Sequence, residues 1–164
     1  MKNIIIVLLF VIVILSSNIQ AKNIPDDILD NIHLNFENAI VNRLRLEMFY
    51  LNLNALTFAP LNPEDLIKNY QSKVVINEII LIENMEIVDI LSDIEIRKRK
   101  ETDIINARIF AKLTNNDGTL ITFSFNDLKG EILINEEYIV KDKRINDYLL
   151  QFLPYNIIKD YYNN

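Results

Sequence analysis

Three groups of residues in this chain have types and spacings that could support chemistry. They are the run Asn115, Asn116, Asp117 and Gly118, the single histidine His33, and neighbouring carboxylates such as Glu83 with Glu86, Asp89 with Asp93 and Glu136 with Glu137. The first run is oxygen-rich and could hold a metal ion. A calcium loop of the EF-hand kind needs oxygen ligands at positions 1, 3 and 5, glycine at 6 and a bidentate glutamate at 12. With Gly118 at position 6, Asn115 and Asp117 fall at 3 and 5, but Leu113 stands at 1 and Ser124 at 12. Both anchoring ligands are missing, so no metal is expected there.

The same residues suit a turn. Ala107, Ile109, Ala111 and Leu113 alternate with Arg108, Phe110, Lys112 and Thr114, and Ile121, Phe123 and Phe125 alternate with Thr122 and Ser124. A two-residue loop would set Lys112 opposite Phe123 and mix the faces, because one step of register inverts every side chain. A three-residue loop of Asn116, Asp117 and Gly118 sets Leu113 opposite Ile121, Ala111 opposite Phe123 and Ile109 opposite Phe125. That closure is a type I turn followed by a left-handed glycine bulge, with Gly118 at positive φ.

His33 stands alone in a chain without cysteine. Zinc cages and Ser or Cys triads lean on histidine, so both are nearly closed to this protein, and His33 reads as a helix-surface residue. Paired carboxylates remain the one catalytic option. Glycosidase-type chemistry needs two carboxyls across a cleft, in environments that separate their pKa values. Glu136 and Glu137 would point to opposite faces if their segment is extended. With 23 acidic residues in 164, such pairs arise by chance. Gly118 and Gly130 are the only glycines, which excludes a Gly-rich phosphate loop, a nucleophile elbow and a dinucleotide fingerprint. No cofactor is expected.

Two basic runs stand out, IRKRK at 96–100 and KDKR at 141–144. Balanced by Glu95, Glu101 and Asp103, the first reads most simply as a solvated strand end. The functional counterpart is an electrostatic contact with anionic lipid, glycan or an acidic partner. Candidate binding residues are therefore Arg97, Lys98 and Arg99. Arg108, Phe110 and Lys112 join them on the outer face that the alternation assigns, with Phe110 as the exposed aromatic.

The elements that must position these residues begin with a leader. Residues 1–21 carry one Lys, an apolar run from Ile4 to Leu15 and a small-residue end at Ala21, the layout of a secretory signal peptide. Its apolar core of about 12 residues falls short of the roughly 20 that span hydrocarbon as a helix. The alternative is an uncleaved membrane anchor. Cleavage leaves 143 of the 164 residues, enough for a single domain with its own core, and no second apolar span follows. Lys2 leaves with the leader, so 16 basic residues face 23 acidic ones, a net of −7. That sign disfavours nucleic acid and favours solubility. An exported chain without Cys points to a bacterial periplasm or exterior, and the Ile- and Asn-rich composition fits an AT-rich coding sequence.

Pro25, Asp26 and Asp27 open a helix. Leu29, Ile32, Phe36, Ile40, Leu44, Met48 and Leu51 recur at helical spacing and predict one long amphipathic helix, with Asn31, Asn35, Asn38, Asn42, Arg45 and Asn52 on its polar side. Asn62, Pro63, Glu64 and Asp65 start a second, short helix ending near Tyr70. Strand vocabulary follows: KVVINEIILIE, MEIVDILSDIEIRKR with an irregularity near Ser92, DIINARIFAKLT, TLITFSFN, GEILI and EYIV. A helix from about Asp147 to Leu153 is broken by Pro154 and leads to a helical tail with Tyr155, Tyr161 and Tyr162 that docks on the core.

This order predicts an α+β domain over 22–164, with helices gathered on one face of an antiparallel sheet of about four to five strands. On element order alone, the alternative is a cystatin-like or nuclear-transport-factor-like cone, with the long helix in the concavity of a curved sheet. The functional expectation is an exported, non-enzymatic binding or assembly module of a cell envelope or secreted fraction, with a protein partner at a sheet face or edge. The alternative is a small-ligand pocket or carboxylate-dependent hydrolase in the mouth of a curved sheet.

Overall fold

A computed structural model of the chain describes residues 22–52, 59–126 and 130–162. The expected leader and its cleavage point lie outside the described residues. Asp26 and Asp27 open α1 (Asp26–Glu37) directly after Pro25, and Ile32 and Phe36 are buried beneath it. The single long helix does not form. Asn38 closes α1, its Nδ2 donating to the Leu34 carbonyl at 2.9 Å. The chain then turns through Arg43, whose φ is 49°, into the strand β1 (Arg45–Tyr50). Short polar side chains that bond nearby backbone compete with helix continuation, which is why an Asn-rich stretch stops it. Ile40, assigned to the core by the helical stripe, is 65% exposed.

The second helix forms as expected. In α2 (Pro63–Asn69) the Asn62 Oδ1 accepts from the Asp65 N–H at 2.8 Å. KVVINEIILIE divides instead of forming one strand. After β2 (Ser72–Ile76), Asn77 caps α3 (Glu78–Glu83), accepting from the Ile80 N–H at 3.2 Å. MEIVDILSDIEIRKR is mostly helix: α4 (Glu86–Asp93) buries Ile87, Val88 and Leu91, and only β3 (Arg97–Lys98) is extended. The four remaining strands lie where the sequence puts them: β4 (Ala107–Thr114), β5 (Thr119–Asn126), β6 (Glu131–Ile134) and β7 (Tyr138–Val140). The next helix begins earlier than expected: Asp142 caps α5 (Lys143–Leu150), and Pro154 separates it from α6 (Tyr155–Tyr162). Ile157 docks α6 on the core while Tyr155 is exposed; the side chains of Tyr161 and Tyr162 lie outside the described residues.

The strands form one open antiparallel sheet of seven, in the order β2-β1-β4-β5-β6-β7-β3. It is an α+β protein with more strands than expected, because β1 forms where a helix was expected and each of the six expected strand segments contributes a strand, β2 and β3 as short remnants. The central hairpin has the anticipated register: Leu113 opposes Ile121, Ala111 opposes Phe123, Ile109 opposes Phe125, and Lys112 opposes Thr122. Its closure differs from the expected one. Thr114 pairs with Thr119, leaving Leu120 as the extra residue of a bulge, and Gly118 has φ 143° rather than a left-handed helical value. Asn115 shapes the loop, its Oδ1 accepting from the Asp117 and Gly118 N–H groups at 2.8 and 2.9 Å.

Asparagines also dock this loop on α1. The buried Asn35 accepts at Oδ1 from Asn115 Nδ2 at 2.9 Å and from Asn42 Nδ2 at 3.0 Å, and its own Nδ2 donates to the Asn31 carbonyl at 2.8 Å. The Asn116 N–H donates to the Asn42 carbonyl at 3.0 Å.

Leu46, Met48, Ile109, Ala111, Leu113, Ile121, Phe123, Ile132 and Ile134 present one sheet face to α1, α3, α4, α5 and α6, and this is the main core. The other face carries a smaller cluster of Phe49, Phe110, Leu133 and Ile139 with Leu66 of α2 and Ile105. The helices are therefore not all on one side. A bulge between Ala107 and Ile109 also turns Ala107 into this second cluster, away from the face shared by Ile109 and Ala111. The cone comparison depended on a long first helix, and α1 ends at Glu37. Outside β3, Lys22 exchanges both backbone bonds with Ile96, donating at 3.0 Å and accepting at 2.8 Å, and Ile24 is buried in the core.

Candidate functional site

Among the described residues no carboxylate pair converges on an enclosed cavity; Glu136 and Glu137 line an open surface groove of about 430 Å³ together with Lys98, Arg99, Lys100 and Glu101. Glu136 and Glu137 sit exposed in the β6–β7 turn, Glu83 and Glu86 are exposed where α3 meets α4, and Asp89 and Asp93 point outward from α4. Asp93 accepts from Arg144 at 2.7 Å, and Glu137 lies 3.4 Å from Lys98. His33 is exposed on α1, its Nδ1 3.4 Å from Glu37. No group of three or more metal-ligating side chains assembles among the described residues. Among the described residues the core void lined by Phe36, Leu81, Leu91, Phe123 and Tyr148 measures about 10 Å³, no more than a single water needs.

The basic runs meet Asp103, one of the neighbours the sequence suggested, and also acids from other elements. Arg97 lies 2.7 Å from Asp103 and 3.4 Å from the buried Glu131, which Lys141 approaches at 3.6 Å. The Arg99 N–H donates to the Glu137 carbonyl at 2.7 Å. Arg144 reaches Asp142 and Asp93, each at 2.7 Å, and its hydrogen bonds hold the Asp142 carboxyl below the usual carboxylate range. The cleft beside these residues, about 490 Å³, is lined by both signs of charge, including Asp93, Glu95, Arg97, Glu131, Lys141 and Asp142.

Phe110 is on the face the alternation assigned, yet it is only 4% exposed. The expected surface aromatic is a core residue, because α2 covers it with Leu66 and Phe49 packs beside it, ring centroids 6.2 Å apart. Arg108 is likewise buried, at the bulge. Lys112 is half-buried and committed to Glu47. That carboxylate accepts from Lys73 at 3.0 Å and lies 2.8 Å from Lys112, and both ammonium groups sit over the Phe49 ring, at 5.0 and 5.7 Å. Burial alone would raise the Glu47 carboxyl, but the bonds and charges of the two lysines outweigh it and hold it below its ordinary value. The six nominated binding residues thus divide between this packed face and the paired β3 end.

The free element is β2. Its register partners all lie on β1, and it is the terminal strand of the sheet. Its outward Val75 is 53% exposed and Ile79 at the start of α3 is 58% exposed. Beside them a groove of about 470 Å³ is bounded by Ile40, Arg43, Arg45, Val75, Asn77 and Glu78, with Asn115 and Asn116 at its end. Arg45 Nε donates to Thr114 Oγ1 at 3.1 Å, whereas the exposed Arg43 guanidinium makes no hydrogen bond or ion pair with the described residues. None of these groove residues was nominated as a binding residue from sequence, since Arg45 was assigned to the polar side of the expected long helix, Arg43 fell within that helix, and Val75 lay in a longer expected strand. Asn38 and Asn77, each a backbone-bonding side chain beside an apolar run, were the signals that could have found it.

No known protein family matches this chain, and no characterised protein or solved structure is significantly similar to it.

Proposed function

We propose that this protein is an exported, non-enzymatic binding module of a bacterial envelope or secreted fraction, and that it docks an extended segment of a partner protein against the outer edge of β2. The observation that carries this is the position of β2: a five-residue terminal strand with one paired neighbour and an outward apolar side chain. Unpaired N–H and C=O groups in a row are a template for a further strand, and natural proteins usually blunt such edges with charge, proline or a cover. Both sheet faces are occupied by helices, which favours the edge over a face as the docking element. The exposed carboxylate pairs and the small core void among the described residues give no support to a hydrolase or internal ligand pocket.

Export is supported by the apolar leader, and N-terminal sequencing of the protein taken from cells tests it: Lys22 as first residue is expected, and a retained Met1 would make the chain membrane-anchored. A photoreactive residue at position 75 should capture one protein in living cells. The double variant Val75→Asp with Ile79→Asp should abolish capture at unchanged thermal stability. Equal capture from a control site at position 89 on α4 would sink docking at β2.

A further inference from the structure

We infer that the groove beside β2 selects its partner by a carboxylate, and that Arg43 is the residue that receives it: the occupant is an extended acidic segment whose backbone pairs with β2 and whose Asp or Glu side chain enters between Arg43 and Arg45. This rests on docking at β2, and deepens it by naming the ligand class.

Two independent features of the groove make complementary demands. The strand edge asks for an extended backbone, because only a chain in that conformation satisfies alternate N–H and C=O groups along β2. The arginines ask for an anion. Of the charged residues lining the groove, Arg43 and Arg45 are cationic and Glu78 is the single acid. Arg45 spends one donor on Thr114 and lies 4.0 Å from Glu47, which already has two lysines. Among the described residues nothing engages the Arg43 guanidinium, so its five donors face an incoming group.

The backbone of Arg43 points the same way. A non-glycine residue at φ 49° is uncommon, and an unrestrained turn here would be filled more comfortably by Gly or Asn. Strain of this kind collects where a side chain is needed at a fixed place. The net charge of −6, or −7 once Lys2 leaves with the leader, does not forbid an acidic ligand. Charges farther than about 8 Å are screened at physiological ionic strength, whereas a guanidinium and a carboxylate in contact form a charge-assisted pair. Ile40 and Val75 on the groove walls would take apolar side chains flanking the acid.

The probes are three blocked eight-residue peptides of alternating valine and threonine, identical except for one central aspartate, asparagine or lysine. Each is titrated into the ¹⁵N-labelled full chain. The aspartate peptide should shift the amides of residues 72–76 and bind about tenfold more tightly than the asparagine peptide, with the lysine peptide weakest. Arg43→Gln should remove the preference while leaving the edge shifts. Arg43→Gly relieves the positive φ and should raise Tm by about 3 °C, yet lose the preference as completely. Equal affinity of the three peptides, or a preference that survives both variants, overturns the assignment of Arg43 while leaving edge docking in place. If none of the peptides shifts residues 72–76 at millimolar concentration, docking at β2 fails, and the ligand class with it.

Discussion

A charge at position 110 would be trapped beneath α2 among Leu66, Phe49 and Ile105. Phe110→Asp should therefore abolish folding, and Phe110→Ala should cost about 3 to 5 kcal/mol in urea denaturation. Alternation fixed which side of the sheet this ring faces, but the cover it receives comes from residues more than forty positions earlier, a distance that periodicity does not sense. Glu47 illustrates the same limit. Nothing in RLEMFY marks it as the hub of two lysines, since its register with Lys112 exists only once β1 is a strand. Its folded pKa lies below its unfolded one, so its contribution is complete above about pH 4.3 and is lost as pH falls through the folded value. Glu47→Gln should destabilise by about 1 to 3 kcal/mol at neutral pH, and the gap to the wild type should narrow in acid below about pH 4. An undiminished gap at pH 2 would mean that packing rather than charge holds this site.

Among the elements, caps and parity were legible where composition was not. The Asn62-Pro63 start of α2 and the register of β4 with β5 could be read because each rests on a specific side-chain bond or on a period of two. In a chain this rich in isoleucine, a β-branched run carries little information. EIVDILSD was taken for a strand, although its Ile87, Val88 and Leu91 keep helical spacing and are buried on that basis. The long first helix failed for a related reason: spacings of three and four persisted by accident through a segment whose asparagines had already ended it. Those asparagines hold the central hairpin to α1. Asn35→Ala removes the acceptor shared by Asn42 and Asn115 and should cost about 1 to 3 kcal/mol. Hydrogen exchange at Asn116 and Gly118 should accelerate more than exchange in β6. Uniform acceleration would show that the loop and helix do not act as a local unit. The groove residues Arg43 and Val75 became visible only when the first helix ended at Glu37 and KVVINEIILIE divided into β2 and α3.

At the scale of the whole molecule, the sheet has two unlike margins. Among the described residues no strand pairs with the outer side of β2, and docking of a partner there is the proposal. At the β3 margin Lys22 occupies the backbone groups of Ile96, and Ile24 is drawn into the core two residues later. This seal has a consequence in time. A protease cutting after Ala21 must draw the residues on either side of the bond into its own cleft in extended form, and the residues following the bond are those committed to the sheet and core. Leader removal and completion of the fold then compete for the same few residues. A chain held unfolded should be processed readily, whereas the refolded precursor should be cut at least tenfold more slowly, at about the rate of local opening of this margin. Equal rates would show that the seal opens freely, and failure of even the unfolded chain to be cut would remove the leader assignment. On the proposed cleavage after Ala21, one pair of hydrogen bonds sets the order of events, and the leader leaves quickly only while the fold is incomplete.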